Sequence, residues 1–213
     1  MTAKITKPTA AMPAPVPAPG KVGSLQRHHV DSSQAPDLTF GALRRNYLGL
    51  TNSALVFGWT KLHPIRPTGD PERPDLRVWQ PTAARHEVLL PRSASDLLSH
   101  PQALLETFER QPRTDRKDLA VVLKLQLSMT DALHPGWERA RAFARSLFVL
   151  EHDLPVLLVM HVPSQSGSRT PAPPHIHLMA LAQVLGPHGF GGYCTIAHDR
   201  AHTDIAAAWR ASA

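Results

Sequence analysis

The chain has one cysteine and two tyrosines among its 213 residues. A lone thiol, Cys194, cannot close an intrachain disulfide, which excludes a disulfide-stapled scaffold and fits a reducing compartment. Long apolar runs are also missing, and none approaches the roughly 18–20 residues of a membrane span. Lys4 and Lys7 precede "TAAMPAPVPAPG", but prolines break every apolar stretch there, so a secretory signal core is lacking. These absences lead to the expectation of a cytoplasmic protein without membrane insertion.

Proline and histidine, by contrast, are abundant at 21 and 13 residues. With 42% hydrophobic residues, the length suits one globular domain plus a tail. A formal charge of +6 favours polyanionic partners. The division expected is a Pro/Ala-rich disordered tail and divergent lead-in over 1–36, followed by a single domain over 37–213. Within 37–57, Leu43, Tyr47 and Leu50 have helical spacing, weakened by Gly41 and Gly49. Five prolines over 58–82 imply a long loop or irregular edge strand.

The "HEVLLP" stretch at 86–91 has strand character, and Pro101 is placed to open the second of two short helices over 93–111. In "DLAVVLKLQLSM", Val121, Leu123, Leu125 and Leu127 share one face while Lys124 and Gln126 take the other, the pattern of a half-buried strand. A helix follows from about Pro135, with Trp137, Ala140, Phe143, Ala144, Leu147 and Phe148 as its apolar stripe. Two further strands end the pattern, "LPVLLVMHV" and "HIHLMALAQVL", and then a helix capped by Thr203 or Asp204. Without a regular strand–helix–strand rhythm, the fold class expected is α+β, a mostly antiparallel central sheet with helices packed on it, on one face.

Residues two apart in a strand share a face, so His175 and His177 project together while Ile176 and Leu178 point away. If 155–161 and 175–181 form an antiparallel hairpin, His161 lies beside His175 and three imidazoles converge at one sheet end. Such a trio suits a divalent ion with positions left for substrate and water; the alternative is a solvated strand face. His198 and His202, at i and i+4, read more simply as a solvated helix face. Tyr47 follows Arg44 and Arg45, so a phenol sits beside two guanidinium groups that can hold phosphate. The alternative for Tyr47 is an amphipathic residue at the core edge.

The order Tyr47, "EVLLP", "ALLETFER", "RKDLAVVLKLQLS", "ERARAFARSLF", "LLVMH" and "PPHIHLM" resembles the MobA/MobL relaxases, which are HUH endonucleases of plasmid mobilisation and conjugation. The likeness runs from about residue 40 to 210, and "HGFGG" at 188–192 extends it. The resemblance implies an HUH relaxase-like fold, with His161, His175 and His177 as ligands of Mg²⁺ or Mn²⁺. It further implies Tyr47 as the nucleophile, and Arg44 and Arg45 beside it are the DNA contacts expected from their local setting. The activity implied is site- and strand-specific transesterification, nicking single-stranded DNA at a transfer origin with other relaxosome proteins as partners. A catalytically inactive DNA-binding accessory protein of a mobile element is the alternative. A likeness to histidine-triad nucleotide hydrolases is weaker, since Met179 stands where the third histidine of "HIHLMAL" is required.

Overall fold

The computed structural model describes residues 27–30 (as backbone), 35–65, 75–111, 117–128, 132–165, 172–197 and 201–212. In chain order the elements begin with β1 (Arg27–Val30), β2 (Leu38–Arg44), β3 (Asn46–Tyr47) and β4 (Leu50–Thr51). Next come α1 (Ala54–Leu62), β5 (Arg85–Leu89), a 3₁₀ turn (Asp96–Ser99), α2 (Pro101–Glu109) and β6 (Asp118–Gln126). Helix α3 (Leu133–Ala144) continues into π-helical winding over Arg145–Leu150. Strands β7 (Val156–His161), β8 (His175–Leu181), β9 (Gln183–Gly186) and β10 (Gly189–Tyr193) precede α4 (His202–Ala211).

Six strands form the central sheet in the order β1-β2-β6-β8-β7-β5, and every pairing in it is antiparallel. The α+β architecture expected from the sequence is the one observed. Helices cover both faces rather than the one expected, because β2, β6, β7 and β8 carry apolar side chains on both sides. Phe40, Val121, Leu123, Ile176 and Leu178 pack under Trp137, Phe143 and Phe148 of the α3 side and Trp209 of α4. On the opposite face Leu43, Val122, Leu157, Val159 and Met179 meet Leu55 and Phe57 of α1 and Leu104, Leu105 and Phe108 of α2. Each such apolar side chain stabilises the fold by about 1.5–3 kcal/mol relative to exposure.

Several sequence expectations need correction. The segment 37–57 is mostly strand rather than helix: Leu38 and Phe40 face one layer while Leu43 faces the other. Two covered faces remove the clean alternation that would have marked a strand. The helix starts only at Ala54, where Ser53 Oγ accepts the Val56 N–H at 3.2 Å. It then runs through Leu62, into the segment expected to be loop or edge strand. Strand β6 is likewise buried on both faces from Leu119 through Leu123, and beyond them Lys124 and Gln126 open to solvent while Leu125 stays buried.

Helix α4 begins at His202 with no side-chain cap, so neither Thr203 nor Asp204 serves as one. Within the segment read as tail and lead-in, Arg27–Val30 pairs with β2 as an edge strand. Residues 1–26, 66–74, 166–171 and His198 lie outside the described residues, along with the readings made of them. Among the described residues, no helix is long and apolar enough to cross a membrane.

Candidate metal centre

Strands β7 and β8 pair with His161 opposite His175, the hairpin register read from the sequence. The next row on that face carries Lys124 of β6, His177 of β8 and Val159 of β7. The alternation of β8 sends His175 and His177 to the α1 face, and Ile176 and Leu178 into the opposite core. Ring centroids are 5.2 Å apart for His161–His175, 4.7 Å for His161–His177 and 4.9 Å for His175–His177. One nitrogen from each ring lies within 4.8 Å of the other two. Three points so spaced share a centre no more than about 2.8 Å from each, slightly beyond a metal–imidazole bond of ~2.1 Å. Small side-chain rotations close that gap. Among the described residues no other trio of histidine, cysteine or carboxylate groups is gathered this way.

Backbone carbonyls select the tautomers. The His161 Nε2–H donates to the Lys61 carbonyl at 2.6 Å, leaving Nδ1 with the lone pair. Lys61 lies in the last turn of α1, where carbonyls lack partners within the helix, so the imidazole satisfies the helix end as well. The His175 Nδ1–H donates to the Pro173 carbonyl at 3.0 Å, leaving Nε2 with the lone pair. A ligating histidine typically donates its second ring N–H to a carbonyl in this manner. Burial, the largest cause, holds His161 down to about 4, with Lys61, Lys124 and His175 adding to the depression against the Lys61 hydrogen bond. Burial likewise lowers His175. Both rings are therefore neutral, the ligating form, at ordinary pH. The donor set fits a divalent ion.

The triad opens into a cleft of about 530 Å³ that Thr39, Lys61 and Lys124 also line. Sequence reasoning placed Lys124 on a polar strand face but missed its position beside His177, because strand order is not written in any local pattern. Lys61 carried no sequence signal at all.

Tyr47 is not brought to this cleft. It sits in the β3–β4 hairpin, which turns at Leu48 and Gly49, both with positive φ (49° and 78°). The hairpin is anchored at the start of β6, where Arg45 N–H donates to the Lys117 carbonyl at 2.7 Å and Arg44 approaches Asp118 at 3.6 Å. The triad belongs to the other end of β6, beside Lys124 and Gln126. Asp118 and Lys124 are six residues apart on that strand, about 20 Å at ~3.3 Å per residue. Tyr193, the second tyrosine, donates its hydroxyl to Asp118 at 3.2 Å and so also lies at the far end. At this end the Arg44 guanidinium lies 5.8 Å from the Tyr47 ring centre.

No family model matches the chain, and no curated protein matches it. The fold is similar to that of a chain in a solved structure described as "Molecular Basis of Vancomycin Resistance Transfer in Staphylococcus aureus". That likeness has a TM-score of 0.51 and 19% identity, covering 62% of this chain and 68% of the other. At such identity it is a likeness of fold.

Proposed function

We propose that this chain is a relaxase-like, DNA-handling protein of a mobile element that seats a phosphate of single-stranded DNA at a divalent ion held by His161, His175 and His177. The observation carrying this reading is the convergence of three imidazoles at one open end of the sheet. Two of their tautomers are set by backbone carbonyls, and two lysines stand beside them. Polarisation of a phosphate oxygen is the chemistry that an ion held there supplies. The chain's own residues orient the phosphate: Lys124 across from His177, and Lys61 from the end of α1. An all-imidazole set suits Zn²⁺ and Ni²⁺ ahead of Mn²⁺ and Mg²⁺, which favour oxygen ligands.

In this reading Tyr47 is a DNA contact rather than the nucleophile. With Arg44 and Arg45 it forms a second binding point about 20 Å along the sheet, where an aromatic ring stacks a base and guanidinium groups pair with phosphates. The accessory, DNA-binding alternative gains from the same separation.

Incubation with labelled single-stranded origin DNA and Mn²⁺ tests the proposal. Mn²⁺ should strengthen DNA retention at least tenfold in the wild type and not in His175→Ala. Tyr47→Phe should leave any covalent adduct unchanged. Mn²⁺-independent retention would sink the metal-held phosphate, and loss of an adduct on Tyr47→Phe would restore that tyrosine as nucleophile.

A further inference from the structure

A second group of histidines lies beside the triad and takes no part in it. His63 caps the C-terminal end of α1 and is 1% exposed. Its ring stacks on Trp59 at 4.1 Å, and its Nδ1–H donates to the Trp59 carbonyl at 2.8 Å. Nε2, on the other edge of the ring, therefore keeps a lone pair. That nitrogen is buried and has no hydrogen-bond partner among the described residues. His86 of β5 pairs with Val159, which packs on the α1 face, so His86 is turned to that face too. The backbone draws the two histidines together: the Leu62 carbonyl, next to His63, accepts from Thr82 and Ala83 N–H at 3.0 Å each, just ahead of β5. Partial burial first, and then the nearness of His100 and His63, lower His86 and favour its neutral, ligating form. His100 caps the start of α2, where its Nδ1 lone pair is taken by the Gln102 N–H at 3.3 Å.

We infer that His63 Nε2 and His86 form a second metal site, a two-histidine clip for a transition ion such as Zn²⁺, Ni²⁺ or Cu²⁺. Imidazole nitrogen suits these ions, and His86 is exposed, so water completes the coordination from the solvent side. A buried acceptor without a donor is costly to keep, and an ion is a partner that such a lone pair can take. The carbonyl bonded at the other ring nitrogen fixes the His63 tautomer, as carbonyls do at His161 and His175. His177, Val159 and His86 are successive neighbours across β8, β7 and β5, which puts the clip about 10 Å from the triad at ~4.8 Å per strand. The two sites share no ligand. An ion in the clip ties the end of α1, which orients His161, to the edge strand β5. The inference stands apart from the phosphate proposed at the triad.

The full chain is dialysed to equilibrium against Ni²⁺, and the bound ions are counted. His86→Ala and His63→Phe, the latter keeping a ring against Trp59, should each bind one ion fewer than wild type. His175→Ala should also bind one fewer, and His86→Ala/His175→Ala two fewer. In His175→Ala, Ni²⁺ should still raise the thermal midpoint by several degrees, and the rise should vanish in the double variant. An unchanged count in His86→Ala overturns the second site, as does a thermal rise that persists in the double variant. An unchanged count in a His63→Phe protein whose circular dichroism matches wild type overturns it too; if His63→Phe does not fold, His86→Ala alone decides. An ion lost in His86→Ala but not in His175→Ala removes the triad and leaves the second site standing. The reverse pattern removes the second site and leaves the triad.

Discussion

His175 donates its Nδ1–H to Pro173, and that single bond decides which ring nitrogen keeps its lone pair. His161 does the same through the end of α1. Burial holds the His161 pKa at about 4, against an ordinary 6.5. Between those values the unfolded chain takes up a proton that the folded chain refuses. The group's contribution to stability is therefore fully present above about pH 6.5, falls as pH drops toward 4, and is constant below that. For a ring still partly exposed, the loss is on the order of 1–2 kcal/mol. Thermal melts of the metal-free protein between pH 7.5 and 4 should show this decline, with a shallower one in His161→Phe; a steeper decline in that variant contradicts the account. The triad itself was legible in the sequence, because a two-residue period and a short return hairpin leave few places for the three rings. The tautomers were not legible, since they depend on carbonyls that only folding brings near. Nor did the chain order of Arg44, Arg45 and Tyr47 reveal which end of the sheet receives them.

At the scale of elements, α1 connects the two ends of the molecule. Its start is tied to the last residue of α2, Glu109, which accepts from Ser53 Oγ at 2.8 Å and from Leu55 N–H at 3.2 Å. Its last turn presents Lys61 to His161. Close approach to α2 depends on Gly58, where an added Cβ would lie 2.5 Å from Leu105 Cδ1 and 3.4 Å from Leu157 Cδ2. Gly58→Val should destabilise the protein by about 1–3 kcal/mol through overpacking. In Gly58→Ala, helix propensity gives back up to ~1 kcal/mol, so its loss should be smaller. Urea unfolding measures both, and a valine variant as stable as wild type would mean that α1 and α2 are not pressed together at this residue. Helix α3 and the hairpin strands were readable because long periodic stripes survive in sequence. Strand β2 was not: with both faces buried it shows no alternation, and Leu43, Tyr47 and Leu50 imitate a helical repeat.

For the whole molecule, basic groups lie at both ends of the sheet, with lysines at the triad and arginines at the far hairpin. A single strand crossing from one to the other contacts cations at two points. Affinity for an oligonucleotide long enough to span both should fall with salt more steeply than affinity for a dinucleotide. In Arg44→Ala/Arg45→Ala the slope for the long oligonucleotide should decrease by roughly one to two, since each phosphate contact contributes about 0.7 for single strands. Filter binding between 50 and 300 mM salt measures this, and an unchanged slope would remove the hairpin from the DNA path.

Strand β5 closes one side of the sheet, and its outer backbone groups have no neighbouring strand among the described residues. It is five residues long, begins with Arg85, His86 and Glu87, and is followed by Pro91. Glu87 is bound by Arg141 of α3 at 2.8 Å, which fixes a charge at the rim. A short, charged border of this kind resists recruitment of a foreign strand. At this edge, the sheet that carries the three imidazoles and a strongly apolar interior is thereby guarded against growing sideways into an aggregate.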